Sequence, residues 1–181
     1  MRIINGTHRG KIITVPRGLP VRPTTDFAKE GLFNILNNKI DYENTTFLDL
    51  FSGTGHISLE LASRGSKNIT AVDMNSKCIG FLRAISKELG FNINTIKSDV
   101  FSFLKQNKNS SDLIFADPPY DLANIAEIHE LVFAGGLLKP EGLLIIEHGS
   151  KTNLENCRGF TQHRKYGNVN FSFFVNAEVK I

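Results

Sequence analysis

The chain has 181 residues and a net charge of +3, and its content of 41% hydrophobic and 22% charged residues is ordinary for a soluble globular domain. No apolar run approaches the roughly 18 residues of a membrane span and the N-terminus lacks a signal-peptide core, so we expect a cytoplasmic protein without a membrane partner. The two cysteines and five histidines show no metal-ligand spacing, which predicts free thiols and no metal site.

The positive charge is concentrated in the first 40 residues, called the arm below. The arm has a charge balance of +5, whereas residues 41–181 have a balance of −2. A basic segment on a slightly acidic body is typical of proteins that bind phosphate groups, although a merely solvated basic surface has the same composition. We expect the arm to pack as a small extension on a main domain of residues 41–181.

The arm begins with a predicted hairpin. Its two short strands, residues 2–4 and 11–15, are joined by turn-forming residues. Prolines between residues 16 and 23 exclude regular structure up to a helix that Thr24 or Thr25 caps. The predicted apolar face of this helix consists of Phe27, Leu32, Phe33, Ile35 and Leu36.

A strand, a glycine loop and a helix follow at residues 47–51, 52–55 and 56–63, an arrangement typical of the nucleotide-binding opening of a doubly wound sheet. Glycine at positions 53 and 55 lets the backbone approach a ligand closely. Ser58 stands where a dinucleotide-binding motif has its third glycine, and a Walker lysine is absent. The pattern therefore favours a ligand with adenosine but without a pyrophosphate.

Three aspartates lie within or directly after the first three predicted strands of the sheet. Asp49 interrupts the first strand, Asp73 ends the second, at residues 68–72, and Asp99 follows the third, at residues 92–97. A helix is predicted at residues 76–89 between the last two. Each acid alone is more often a helix cap or a surface residue, but three at successive strand ends converge on one crevice. There Asp73 suits the two hydroxyls of a ribose, and Asp99 suits an adenine amine, with Val100 or Phe101 against the ring.

The fourth predicted strand, residues 111–116, runs into Asp117, Pro118, Pro119 and Tyr120. The two prolines make this strand end stiff. Asp117 and the carbonyl of Pro118 can accept the hydrogens of a nucleobase amine, and Tyr120 can stack on the base. The alternative is a Pro-Pro loop that merely turns the chain.

The remaining pattern completes an α/β fold. It predicts a helix at residues 125–133, a buried strand at residues 142–147, and an antiparallel pair at residues 158–166 and 169–175. The result is a mostly parallel sheet of seven strands with an antiparallel last strand, to which the arm adds a small N-terminal hairpin and helix.

These motifs carry a family resemblance. Residues 48–55, Asp73, Asp99 and residues 117–120 resemble the motifs of class I S-adenosylmethionine-dependent methyltransferases that modify exocyclic amines. Residues 2–10 and 22–34 resemble the N-terminus of the bacterial 16S ribosomal RNA guanine-N2 methyltransferases of the RsmD type, and residues 167–171 their last hairpin. The resemblance implies a Rossmann-like fold, S-adenosylmethionine as methyl donor, guanine 966 of 16S ribosomal RNA as target, and 16S ribosomal RNA or the small ribosomal subunit as partner. We expect a monomer.

The residues and the resemblance together define a candidate site. The expected catalytic residues are Asp117, Pro118, Pro119 and Tyr120. The expected cofactor-binding residues are Asp49, Phe51, Gly53, Gly55, Asp73, Met74, Asp99 and Val100. The expected RNA-binding residues are Arg2, Arg9, Lys11 and Arg22.

Two positions depart from the family pattern, which usually has arginine in place of Phe27 and often glutamate in place of Asp73. Three other functions share the motifs and stay open at this point. They are a DNA adenine-N6 methyltransferase, a protein glutamine methyltransferase, and a non-catalytic RNA-binding protein on the same scaffold.

Overall fold

The computed structural model describes residues 1–19 and 25–177. Within these residues, the helices are α1 (Asp26–Leu36), α2 (His56–Ser63), α3 (Ser76–Glu88), α4 (Val100–Gln106) and α5 (Ile125–Ala134). The strands are β1 (Thr46–Leu50), β2 (Asn68–Asp73), β3 (Ile93–Lys97), β4 (Ser111–Ala116), β5 (Leu138–His148), β6 (Phe160–Tyr166) and β7 (Val169–Val175). None of these helices is long and apolar enough to cross a lipid bilayer.

The seven strands form one sheet in the order β3-β2-β1-β4-β5-β7-β6. Strands β1 to β5 pair in parallel, and β7 is antiparallel to both of its neighbours. The predicted fold class is thus confirmed. Strand order reverses between β1 and β4, and in open α/β sheets ligands bind beyond the carboxyl ends of the strands at such a point.

Hydrophobic clusters cover both faces of the sheet, which explains why the central strands are almost continuously apolar. Helices α1 and α2 pack on one face through residues such as Leu32, Phe33 and Leu61. Helices α4 and α5 pack on the other through residues such as Leu104 and Ile128. The strand ends between these layers are thereby held in fixed positions.

The predicted apolar face of α1 is wrong at Phe27, which is 66% exposed. The buried row is Ala28, Leu32 and Leu36, at spacings of four residues. Phe27 lies on the adjacent row at the first turn of α1, where its ring meets Tyr166 of β6 at the rim of the core. The predicted cap is correct at Thr25, whose hydroxyl accepts the backbone N–H of Ala28 at 3.2 Å.

The predicted hairpin of the arm is reduced to one antiparallel bridge between Arg2 and Ile12. Backbone donors that a longer hairpin needs are used elsewhere. Ile4 and Asn5 donate their N–H groups to the Glu60 carboxylate at 2.7 and 3.0 Å. The arm is therefore held by hydrogen bonds to Glu60 of helix α2, where a longer hairpin would have used the same backbone donors.

Candidate active site

A cavity of about 1600 Å³ lies at the carboxyl ends of the parallel strands. It collects residues from the loops that follow β1, β2, β3 and β4. The predicted site residues that line it are Phe51, Gly53, Asp73, Met74, Asp99, Val100, Asp117, Pro118, Pro119 and Tyr120. Segments far apart in the sequence meet there because parallel strands end at the same edge of the sheet.

The Asp73 carboxylate is held by the backbone on both sides. Its Oδ2 accepts the N–H of Gly53 at 2.8 Å, and its Oδ1 accepts the N–H of Asn75 at 2.7 Å. An ionised carboxylate offers about four lone-pair sites, so two backbone bonds leave acceptor capacity on each oxygen. The carboxylate is thus fixed in orientation and can still receive hydroxyl donors from a ligand.

The loop after β1 needs its glycines for two different reasons. Gly53 has a positive φ of 51°, which glycine adopts easily, and it lies two residues after Phe51, whose φ is 58°. Both residues line the cavity. Gly55 has φ of 78°, and a Cβ there would lie 2.2 Å from Cδ1 of Leu82. Gly55 is not among the cavity-lining residues, so the structure explains this glycine by the packing of α2 against α3.

Asp49 also lies outside the cavity lining, contrary to its predicted contact with a cofactor. Its side chain is 2% exposed and points across the sheet face to α2, where Ser58 donates its hydroxyl at 2.5 Å. Burial raises the pKa of Asp49 to about 7, and the Ser58 hydrogen bond opposes this shift only in part. This acid joins β1 to α2.

Asp99 combines the two roles that its sequence context allowed. It caps α4, a helix that the sequence pattern did not reveal, because Oδ1 accepts the N–H of Ser102 at 2.8 Å. The carboxylate also lines the cavity, where its other oxygen is available to a ligand amine. Phe51 and Phe101 meet edge to face beside it, with ring centroids 6.3 Å apart.

The segment after β4 is fixed at both ends. Asp117 donates its backbone N–H to the carbonyl of Leu50 at 3.2 Å, which continues the pairing of β4 with β1. The Tyr120 hydroxyl donates to Oε1 of Glu147 at 2.8 Å. Glu147 is 3% exposed and lies in the buried part of β5, so it orients the tyrosine ring from a rigid strand.

Sequence reasoning missed two polar atoms that line the cavity. Ser52 Oγ and His56 Nε2 are shielded from solvent and have no hydrogen-bond partner among the described residues. His56 is half-buried, and the burial of its ring lowers its pKa to about 3, so it is neutral at physiological pH. Buried polar atoms are almost always bonded, so these two atoms are available to polar groups of a ligand or to ordered water in the cavity.

The arm forms one wall of the cavity, through residues that include Ile12 and Arg17. The buried Lys29 contributes too, and burial lowers its pKa although the nearby Glu60 opposes the shift. Glu60 is fully buried, and its carboxylate pairs with Lys29 at 3.4 Å and with Arg64 at 2.8 Å. This ion cluster fixes the arm to α2 beside the cavity.

The predicted RNA-binding residues of the arm differ in their surroundings. Arg2 pairs with Asp26 at 3.2 Å and Glu30 at 3.4 Å on α1. Lys11 pairs with Glu88 of α3 at 3.5 Å. Arg9 is exposed and forms no ion pair with a described residue, and Arg22 lies outside the described residues.

Both cysteines are free thiols, and Cys78 lines the cavity whereas Cys157 does not. Across residues 1–19 and 25–177, no group of three or more histidine, cysteine, aspartate or glutamate side chains could hold a metal ion.

Comparison with known proteins places the chain among ribosomal RNA methyltransferases. It is 34% identical to ribosomal RNA small subunit methyltransferase D of Escherichia coli over 155 residues, which are 81% of this chain and 74% of that protein. It is 28% identical to the protein of the same name from Buchnera aphidicola, over 97% of this chain and 92% of that protein.

Solved structures share the fold. A hypothetical protein of Thermus thermophilus superposes with a TM-score of 0.83 at 26% identity, over 96% of this chain and 98% of that chain. The 16S rRNA N2 methyltransferase RsmC of Thermus thermophilus, solved in complex with AdoMet and guanosine, gives a TM-score of 0.69 at 22% identity. That likeness covers 87% of this chain and 45% of the RsmC chain and extends to the fold alone.

The model of the family described as Conserved hypothetical protein 95 matches residues 1–175, nearly the whole chain. The chain therefore belongs to this family, which is the ribosomal RNA small subunit methyltransferase D family that its motifs resemble.

Proposed function

We propose that the protein transfers a methyl group from S-adenosylmethionine to the exocyclic N2 of a guanine in 16S ribosomal RNA. The observation that carries the proposal is the cavity at the strand ends, where Asp73 and Asp99 face the same space as residues 117–120. Relatives named ribosomal RNA small subunit methyltransferases support ribosomal RNA as the substrate class. The N2 position of guanine rests on the family resemblance.

The residues of one half of the cavity fit S-adenosylmethionine. Asp73 has acceptor capacity for both ribose hydroxyls, and Asp99 has one oxygen for the adenine amine. Ser52 and His56 offer polar atoms that have no protein partner among the described residues. When bound, this group supplies a methyl on a sulfonium that needs no further activation.

The other half of the cavity suits the acceptor base. The amine of guanine has two N–H donors, and its lone pair is delocalised into the ring, so it is a poor nucleophile in water. Asp117 and the carbonyl of Pro118 would hold these hydrogens, and Tyr120 would stack on the base, with its hydroxyl fixed by Glu147. The base must leave its stack in the RNA to reach this position.

Catalysis in this site is chiefly alignment. The protein holds the amine in line with the methyl group, which converts an encounter of two reactants into a reaction between neighbours. No covalent intermediate with the protein is needed. The rigid strand end at Asp117 and the buried Glu147 supply the fixed geometry that such a mechanism requires.

The experiment is incubation of the protein with radiolabelled S-adenosylmethionine and, in separate reactions, 16S ribosomal RNA, small-subunit particles, DNA and a release factor. We expect label in ribosomal RNA or in the particles, recovered as N2-methylguanosine after digestion. Asp117→Ala protein prepared in parallel is the control for contaminating activity. Label in DNA or release factor, or another methylated nucleoside, would contradict the proposal. So would RNA binding without any transfer of label.

A further inference from the structure

A second groove, of about 590 Å³, lies between α1 and β6, outside the strand ends. One wall is the outer side of α1, including Phe27, Asn34 and the half-buried Ile35. The other wall is β6, through Gln162, Arg164 and Tyr166. Strand β6 is the outer strand of the sheet, so the groove opens along the edge of the molecule.

Two aromatic residues join this groove to the candidate active site. Phe27 and Tyr166 line both, and their rings meet edge to face with centroids 5.5 Å apart. Tyr166 lies directly on α1, since a Cβ at Gly31 would be 2.2 Å from its Cε1. The tyrosine is thus fixed by the helix, while Phe27 leaves 66% of its surface in water. Phe27 thus presents an apolar ring to solvent at the boundary between the cavity and the groove.

The charge of the groove favours a phosphate-bearing occupant. Arg164 and Lys39 line it, and neither forms an ion pair with a described residue. The acid in the lining, Glu30, is already paired with Arg2 at 3.4 Å. A positively charged groove with exposed aromatic rings is the combination with which proteins bind single-stranded nucleic acid.

We propose that this groove binds a nucleotide that neighbours the target base in the substrate RNA. The base stacks on Phe27 beside Tyr166, and its phosphate lies near Arg164. The geometry supports this because Phe27 and Tyr166 line both the cavity and the groove, so a strand whose target base lies in the cavity can continue into the groove past this aromatic pair. The proposal rests on the proposed function, since it needs RNA as the substrate.

The test compares Phe27→Leu with Phe27→Tyr in methylation of free ribosomal RNA. Leucine keeps apolar volume but has no aromatic face, whereas tyrosine keeps the face. We expect Phe27→Leu to raise KM for RNA by about 5- to 100-fold, the contribution of one stacked base, with kcat little changed. Phe27→Tyr should stay near the wild-type KM, and Arg164→Ala should raise KM and reduce its salt dependence.

The control is Lys97→Ala, which removes an exposed basic residue from β3, the strand at the opposite edge of the sheet. Its KM for RNA should match the wild type. Calorimetry with S-adenosylhomocysteine should show equal affinity for wild type and Phe27→Leu. A matching loss there would assign Phe27 to the cofactor half of the cavity and overturn the proposal.

Two further results would overturn it. One is an unchanged KM for RNA in Phe27→Leu. The other is a KM defect seen with assembled particles but absent with free RNA, which would assign the groove to a protein of the particle. Failure of the proposed function is distinguishable, because then the wild-type protein itself would transfer no methyl group to ribosomal RNA, either free or in small-subunit particles.

Discussion

The strand ends and the arm both carry charged residues on which a functional prediction rests. The two groups differ in whether their charges face the cavity or are paired within the protein. At the strand ends, Asp73 and Asp99 are fixed by backbone N–H groups and still face the cavity. In the arm, Arg2, Lys11 and Lys29 pair with acids of the protein itself. The two strand-end acids therefore face the cavity, whereas these three basic residues of the arm are neutralised within the protein.

The reason is the length of the side chain. A short carboxylate lies where its backbone lies, and the backbone at a strand end is set by the sheet. Lysine and arginine reach several ångströms and can turn to any acid in range. The excess of +5 in the arm therefore overstates the positive charge that is free for RNA. The arm instead supplies one wall of the cavity and an ion cluster that holds this wall in place.

Removing the anchor of the arm tests this contrast most strongly. Glu60→Ala leaves Lys29 and Arg64 as buried charges without their partner, so we expect a loss of about 3–5 kcal/mol in the free energy of unfolding. Urea denaturation measures it. Glu88→Ala, which breaks the exposed pair with Lys11, is the matched control and should cost less than about 1 kcal/mol. Equal losses in the two variants would remove Glu60 as the anchor.

Asp117→Ala tests the role of the acids at the strand ends, because Asp117 directly follows β4 and lines the cavity. We expect kcat to fall by about 10²- to 10³-fold, as for the loss of one preorganised hydrogen-bonding group, with little change in cofactor affinity. Single-turnover methylation and calorimetry measure the two quantities. Tyr120→Phe keeps the ring and loses the hydroxyl that donates to Glu147, so its kcat should fall less. Equal losses of cofactor affinity and rate in Asp117→Ala would mean that this residue only shapes the cofactor pocket.

Asp73 should matter for binding and not for the chemical step. Asp73→Ala removes an acceptor for two ribose hydroxyls, and we expect a loss of about 1.5–3 kcal/mol in the free energy of S-adenosylmethionine binding. Because Asp73 also holds Gly53 and Asn75, circular dichroism should first establish that the variant is folded. An unchanged affinity in a folded variant would remove Asp73 from the cofactor site.

The pH dependence of the free energy of unfolding should distinguish Asp49 of β1 from His56 of α2, because burial shifts their pKa values in opposite directions. The raised pKa of Asp49 makes the folded state bind the extra proton between pH of about 4 and 7, so its contribution to stability is lost as pH rises. The lowered pKa of His56 acts oppositely, and stability is lost as pH falls from about 6.5 towards 3. The two slopes therefore oppose one another in the wild type.

Urea unfolding at about pH 4.5 and about pH 6.5 should show each slope once the other residue is replaced. Asp49→Asn should become relatively more stable at the higher pH than the wild type, and His56→Gln relatively less. Asp121→Asn, which replaces an exposed acid, should follow the wild type. Parallel curves for all four proteins would contradict both assignments.

The smallest effect is expected from the exposed charge of the arm. Replacing Arg9 and Lys11 by alanine should flatten the dependence of RNA affinity on the logarithm of salt concentration by about one unit. Arg9 should supply most of this change, because Lys11 is paired with Glu88. RNA affinity at several salt concentrations measures it, with Lys67→Ala, whose side chain pairs with Glu43 on the surface, as the control. An unchanged slope would show that the arm is only a solvated basic surface.

The sequence by itself determined the fold class and the place of the site. The predicted ranges of β4 and β7 coincide with the structure, because runs of apolar residues between turn signals decide strands locally. Residues 117–120 also leave β4 at its carboxyl end, as the two prolines predicted, and they line the cavity. Helix α4 was not predicted from the sequence, because its seven residues are too few to show a clear helical period.

Only the tertiary structure decided which side chains reach the cavity. Asp49 is an aspartate of a parallel strand, as Asp73 is, but it lies inside β1 and points across the sheet to Ser58, because a side chain inside a strand projects from a face and not from the end. Phe27 fell on the exposed row of α1, and the bonds of Arg2 and Lys11 depend on acids far away in the sequence. Local rules place the backbone, whereas the partner of each side chain depends on which segments the fold brings beside it.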